Sequence, residues 1–313
     1  DWRIWMLPPP QAGRQRPRCP PRVFPKATGT SPPRSCSQTG ALSRCPGFDK
    51  RPSWALRDRQ RSGRVRVWFM RIILFDIDGT LIRTGGAGVK AFARTSELVF
   101  GLPGGTAHMS FHGRTDTSLV REFLRHHSLP ETEENMSRFL DSYLFLLAEM
   151  LAEHPGERCP GVGAFLEACR QMVPRPVIGL LTGNVRLGAE LKLRAHGLWE
   201  EFSVGGFGDD HEDRNRIAAI ARQRAEEELG TRASAHEVVV VGDTERDVAC
   251  ARAIGARCLA VATGGISAGD LARSGPDWLV ARLDELHPED LRSGIPGQGE
   301  TYTNQCQDRK SVV

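Results

Sequence analysis

The chain has 313 residues, 40% hydrophobic and 26% charged, the balance of a globular protein and not of a fibrous or low-complexity one. Its net charge of +4 hides two opposed parts: residues 1–69 carry 15 Lys or Arg against three acids, a net of +12, and the remainder carries 27 against 35, a net of −8. No run of about 18 apolar residues occurs, so no transmembrane helix is predicted, and no nucleic-acid partner is expected, since an arm in residues 1–69 would rest on charge alone.

The basic segment holds 11 of the 20 prolines, in runs such as "PPPQAGRQRPRCPPR", and few apolar residues at any regular period. It cannot bury enough surface to offset the entropy of ordering, so residues 1–69 are predicted to be disordered. Met70, directly before an apolar run, reads as the natural start. Residues 293–313 are polar and aperiodic and read as a tail. The eight cysteines include no CxxC pair and are expected to be reduced packing thiols, as in a cytoplasmic protein.

From residue 70 the elements follow in order. "IILFD" (72–76) is a short strand, apolar on both faces. Residues 85–163 then show only helical signals: "GVKAFARTSELVF", "TSLVREFLRHH" and "EENMSRFLDSYLFLLAEMLAEH". Some 80 residues of helix are too many for one crossover, and predict an all-α module inserted after the first strand. "VIGLLT" (177–182), "EVVVVGD" (237–243), "RCLAVAT" (257–263) and "DWLV" (277–280) are the later strands, with helical stretches "RLGAELKLRAHGL", "DRNRIAAIARQRAEEELG" and "ERDVACARAIG" between them. Gly230 and Gly255 sit at C-cap positions of the last two. Apolar strands alternating with helices predict an α/β fold with a doubly wound parallel sheet, whose ligands lie outside the carboxyl ends of the strands.

Those ends carry the polar residues. Asp76 and Asp78 close the strand at 72–76, Thr182, Gly183 and Asn184 the one at 177–182, and Asp243, Thr244 and Asp247 the one at 237–243. Two carboxylates two residues apart repel each other, a cost that calls for a cation, a proton or a chemical task. Thr182 alone could be a helix N-cap, and Asp247 alone could favour a helix dipole. Three such endings in register point to one crevice. Gly85, Gly86 and Gly88 form no G-x-G-x-x-G fingerprint and read as a hinge into the helical module. His108, His112, His126 and His127 show no metal-ligand spacing and are expected on solvated surface of that module.

"FDIDGTL" (75–81), "LLTGN" (180–184) and "VVVGDTERD" (239–247), in this order, resemble the haloacid dehalogenase superfamily of phosphohydrolases. The inserted helices resemble its α-helical cap in the phosphoglycolate-phosphatase-like branch, and "FHGRTD" (111–116) resembles a segment of that branch. The resemblance implies a Rossmann-like core over 70–84 and 164–292 with a cap over 85–163. It implies an Mg²⁺-dependent phosphomonoester hydrolase acting on a small phosphorylated metabolite. Asp76 would be the nucleophile and would form an aspartyl-phosphate. Asp78 would protonate the leaving alkoxide and then take a proton from water. Asp76, Asp243 and the backbone carbonyl of Asp78 would hold the metal, with Asp247 acting directly or through water. The Thr182 hydroxyl and the Gly183 amide would meet phosphate oxygens, with Asn184 and Arg114 on the substrate side.

One departure stands out. The superfamily supplies a basic residue, usually Lys, ahead of the acids that close the strand at 237–243, yet no Lys lies between Lys192 and Lys310. Arg214 or Arg216 in "GDDHEDRNRIAAIARQ" can stand in, Arg214 being favoured because it opens the helix. Among rival activities, a dehalogenase lacks the acid at the place of Asp78, and a phosphonatase needs a cap lysine where only Lys90 is present. A sugar phosphomutase shares the core motifs, and a non-catalytic binding protein would not need the full set of acids.

Overall fold

The computed structural model describes residues 70–292. The segments 1–69 and 293–313, with the disorder expected of the first, lie outside the described residues. The strands are β1 (Ile72–Phe75), β2 (Ile82–Arg83), β3 (Glu157–Arg158), β4 (Val177–Leu181), β5 (Val204–Gly206), β6 (Val238–Gly242), β7 (Arg257–Val261) and β8 (Trp278–Val280). The helices are α1 (Ala87–Phe100), α2 (Asp116–His126), α3 (Glu133–Glu153), α4 (Val162–Gln171), α5 (Arg186–Ala195), α6 (Arg214–Leu229), α7 (Glu245–Ala253) and α8 (Ala268–Ser274).

Six strands form one parallel sheet in the order β5-β4-β1-β6-β7-β8. Counting those strands alone along the chain, the order is 3-2-1-4-5-6, that of a doubly wound sheet, and it reverses between β1 and β6. Successive residues of a strand point to opposite faces, and both faces are dry. Ile73, Phe75, Val239 and Val241 join Phe165 and Leu166 of α4 and Leu193 of α5. Ile72, Leu74, Val238 and Val240 join Ile217 and Ala221 of α6 and Val248 of α7. This is why the strands read as unbroken apolar runs. Cys159, Cys169, Cys250 and Cys258 are free and buried, as packing thiols should be.

The sequence reading passes over five of these strands and helices. β5, "VGG", has two glycines and no period, yet it pairs with β4 because Gly206 lets α6 close in: a Cβ there would stand 2.6 Å from the Ile217 carbonyl oxygen. Helices α4 and α8 also escape it, as does the small antiparallel pair of β2 with β3. That pair closes the neck of the inserted helices. Val162 and Phe165 belong to the sheet's own core, so the chain has rejoined the sheet at the start of α4, slightly ahead of the expected boundary.

Helices α1 to α3 have an apolar cluster of their own. Phe139, Tyr143, Leu147 and Leu151 of α3 recur every four residues and are buried. Phe139 meets Phe92 and Phe123 at ring-centroid distances of 4.5 and 4.9 Å. The helices start on local caps: the Thr115 and Thr132 hydroxyls accept from the Ser118 and Asn135 amides. Gly86, the N-cap of α1, has φ of +81°, which a side chain would resist; the hinge glycines therefore shape the entry to the inserted helices. No helix among the described residues is long and apolar enough to cross a membrane.

Candidate active site

The register of the central strands builds the site. Phe75 is level with Val241, and the Asp76 amide donates to the Val241 carbonyl (2.9 Å), so Asp76 and Asp243 emerge side by side where the strand order reverses. Both are buried, and Asp247, in the first turn of α7, is fully so. Carboxylate oxygens of these three lie within 4.8 Å of one another. Burial pushes the Asp76 carboxyl up to about 7, against the pull of Arg214, and Asp247 and Asp78 add to the rise. Burial followed by Asp76 and Asp247 pushes Asp243 up to about 8. Carboxylates that resist ionising side by side in a dry crevice, and offer only hard oxygen donors, suit a divalent cation such as Mg²⁺. The Thr80 hydroxyl fixes Asp243 by donating to its Oδ1 (3.0 Å).

Arg214 is the first residue of α6, after its N-cap Asp213. It is buried, and its Nη2 lies 3.0 Å from Asp76 Oδ1 and 2.5 Å from Asp247 Oδ1. Arg216, two residues on, is exposed. The other oxygen of Asp247 accepts from the Thr244 amide (3.0 Å) and hydroxyl (2.7 Å), a capping box that starts α7. Asp247 thus has both the helix-starting role and a place beside the other two acids.

Asp78 faces the crevice, with a side chain 42% exposed. Its Oδ2 accepts from Lys192 Nζ (2.7 Å) and Asn184 Nδ2 (2.8 Å). The protein crowded around it would by itself raise this half-exposed carboxyl, but the Lys192 charge and the two hydrogen bonds outweigh that and hold it below the usual range. Thr182 Oγ1 accepts from the Asn184 amide (3.2 Å) and from Asn184 Nδ2 (2.8 Å). Asn184 Oδ1 accepts from Lys192 (2.6 Å), so its side-chain amide is bonded within the protein at both ends. Gly183 admits no side chain, because a Cβ would stand 2.1 Å from the Arg114 carbonyl oxygen.

That approach is part of a seam between inserted helices and sheet. The Asp116 amide donates to the Gly183 carbonyl (2.8 Å) and the Val185 amide to Asp116 Oδ2 (2.9 Å). The Thr117 hydroxyl donates to the Gly208 carbonyl (2.9 Å). Beneath this roof lies a cavity of about 420 Å³. Asp76, Asp78, Thr182, Gly183, Asn184, Arg214 and Asp243 line its floor, and Val89, Phe92, Phe111, Leu119 and Tyr143 form an apolar wall. Arg114 also lines it, and pairs with Glu122.

Two expectations about histidines need correcting. His112 is exposed, but into this cavity. His108, His126 and His127, given no metal-ligand spacing by the sequence, come together, with ligand nitrogens within 4.8 Å of one another. Helix α2 ends on His126 with His127 as its C-cap, and the turn after α1 brings up the third. His108 and His126 are exposed, as expected of solvated positions. The sequence reading also misses Asp116 and Lys192. Asp116 is buried, and burial pushes it up to about 6 despite the opposing pull of Lys192. The signal for Lys192 is its spacing: Gly188, Ala189, Lys192 and Leu193 form the buried stripe of α5.

Residues 70–255 match the family model of haloacid dehalogenase-like hydrolases. Among solved structures, the chain is similar to CbbY from Rhodobacter sphaeroides in complex with phosphate, at 21% identity over 70% of this chain and 96% of that one, with a TM-score of 0.55. It is similar to a predicted phosphoglycolate phosphatase from Haemophilus somnus, at 20% identity over 70% and 97%, with a TM-score of 0.55. A hydrolase of family IA, variant 3, from Entamoeba histolytica aligns at 20% identity over 72% and 100%, with a TM-score of 0.57. No curated protein matches the sequence. With its sheet order, its acids at the strand ends and a family match across most of the described residues, the chain belongs to the haloacid dehalogenase-like hydrolases.

Proposed function

We propose that this hydrolase removes the phosphoryl group from a small phosphorylated metabolite through an aspartyl-phosphate on Asp76, and that the inserted helices act as the cap over the site. The observation that carries the reading is the convergence of Asp76, Asp78, Asp243 and Arg214 at the point where the strand order reverses, on the floor of one cavity. The similar proteins are described as a phosphate complex and a predicted phosphoglycolate phosphatase, in keeping with it.

Asp76 and Asp243, with the Asp78 backbone carbonyl, would hold Mg²⁺, which supplies charge to offset a phosphomonoester dianion. An Asp76 oxygen attacks phosphorus as the bond from phosphorus to the leaving oxygen breaks. The alkoxide takes its proton from Asp78. A phosphate dianion entering beside Asp78 repels its carboxylate form, which favours the protonated state needed for that step. Water then attacks the phosphorus and gives a proton back to Asp78, and the Asp76 carboxylate leaves. Arg214 holds Asp76 in place and adds positive charge where the phosphoryl group transfers. Tyr143 and the phenylalanines form the side of the cavity that receives the leaving group.

Phosphate release from a panel of phosphorylated metabolites, with and without Mg²⁺, tests the reading. Activity should require the metal and vanish in Asp76→Asn, whose amide is neither a nucleophile nor a good ligand. Near-normal turnover by folded Asp76→Asn would exclude the mechanism.

A further inference from the structure

Lys192 is 4% exposed, on the helix stripe that faces the protein interior. Burying an ammonium costs several kcal/mol unless the charge is met by good partners. An apolar side chain of similar length would fill the same place without that cost. What only the ammonium contributes is its hydrogen bonds, and both go to the site: Asp78 Oδ2 at 2.7 Å and Asn184 Oδ1 at 2.6 Å. Asn184 passes the contact on, since its Nδ2 donates to the same Asp78 oxygen at 2.8 Å and to Thr182 Oγ1 at 2.8 Å. Lys192, Asn184 and Asp78 therefore close a triangle in which two donors fix one carboxylate oxygen.

The ammonium lines the cavity and is flanked by all three inserted helices. A Cβ on Gly88, in the first turn of α1, would stand 3.6 Å from Lys192 Nζ and 3.6 Å from the Tyr143 hydroxyl of α3. Asp116, at the start of α2, feels its charge. Its neighbour Leu191 packs into the apolar cluster of the inserted helices. The carbon stem and head group thus have little room to move, which is what a positioning group requires.

We propose that Lys192 is a positioning residue for leaving-group protonation: with Asn184 it pins Asp78 through Oδ2, so that Oδ1 is presented to the departing oxygen. This rests on the phosphatase reading and assigns the leaving-group side of that reaction. As the bond from phosphorus to the leaving oxygen breaks, its electron pair goes to that oxygen, which takes the Asp78 proton. Asp78 is left as a carboxylate beside the ammonium. The need for this arrangement grows with the basicity of the leaving oxygen, because a stable anion departs without a proton.

The test compares 4-nitrophenyl phosphate, which releases a stable phenolate, with benzyl phosphate, which releases an alkoxide, using the full chain with Mg²⁺. Lys192→Met should lose about 10²-fold in kcat on benzyl phosphate, the usual share of a general acid, and under about 3-fold on 4-nitrophenyl phosphate. In an Asp78→Ala background, Lys192→Met should cost nothing further on benzyl phosphate, since both act through one proton. Lys192→Gln should show the same leaving-group bias, and takes over the test if Lys192→Met does not fold. Equal losses on both substrates by a folded variant, or losses that add to that of Asp78→Ala, would overturn the assignment. Release of phosphate by the wild-type protein from neither these two substrates nor the metabolite panel would instead overturn the phosphatase reading beneath it.

Discussion

Replacing Arg214 by alanine removes a guanidinium that bridges Asp76 and Asp247 at 3.0 and 2.5 Å in a position 8% exposed. At about 3 Å and an effective dielectric near 20, each contact is worth roughly 5 kcal/mol before desolvation is counted. Breaking a buried pair from one side costs about 3 to 5 kcal/mol net, because the carboxylates remain. For a domain of this size each kcal/mol moves Tm by about 2 to 4 °C, so Arg214→Ala should melt roughly 6 to 20 °C lower. Below that temperature the folded variant should turn over phosphomonoesters about 10²- to 10³-fold more slowly, the loss expected for one pre-placed charge donor. Arg214→Lys should recover part of both effects, because the charge survives while the fork does not. Arg216→Ala, on the exposed side of α6, should change neither. Thermal unfolding with phosphate release at a single temperature measures both. If Arg214→Ala keeps wild-type turnover and Arg216→Ala is crippled, the basic role belongs two residues further on. If both are silent, the account of charge in the crevice is wrong.

Three further outcomes follow from the same geometry. Asp76 and Asp243 hold protons in the folded state up to about 7 and about 8, well above an ordinary carboxyl. The folded protein therefore binds more protons than the unfolded one between about pH 4 and pH 8, so with a chelator present the urea midpoint should fall as pH rises through that window. Mg²⁺ should restore more stability at pH 8 than at pH 5.5; a midpoint independent of pH and metal would contradict this. Gly183→Ala should push the Arg114 carbonyl away and loosen the seam with the inserted helices, seen as a raised KM in a protein that still folds; an unchanged KM would count against the seam's role. Phe123→Ala, at the centre of the aromatic cluster in the inserted helices, should cost about 3 to 5 kcal/mol and open residues 87–153 to limited proteolysis before the sheet.

How much of this could be read from the sequence depends on how local the cause is. Strands β1, β4, β6, β7 and β8 announce themselves because both faces of the sheet are covered, which forces unbroken apolar runs. β5 does not, because glycines are demanded there by the close approach of α6, a tertiary fact. Asp76 and Asp243 are visible because each follows a strand directly, with Asp78 two residues on, and strand ends are where doubly wound sheets gather their ligands. Arg214 is visible by elimination and by its place at a helix start. Lys192 is not, since a lysine in a helix usually marks a solvated face and only its fit to the buried stripe argues otherwise. Asp116 reads as part of a motif, and its bond to the Val185 amide appears only when α2 docks. The three histidines behave alike: two are adjacent in sequence, and the third is delivered by the fold.

The central claim is that Asp76 itself carries the phosphoryl group. Rapid mixing of the Mg²⁺-loaded protein with a phosphoryl-labelled substrate, quenched in acid and followed by peptide mass spectrometry, tests it directly. The account predicts a phosphoryl group on the peptide containing Asp76, discharged by hydroxylamine and absent in Asp76→Asn. Turnover without any labelled protein, or label on a residue other than Asp76, would contradict it.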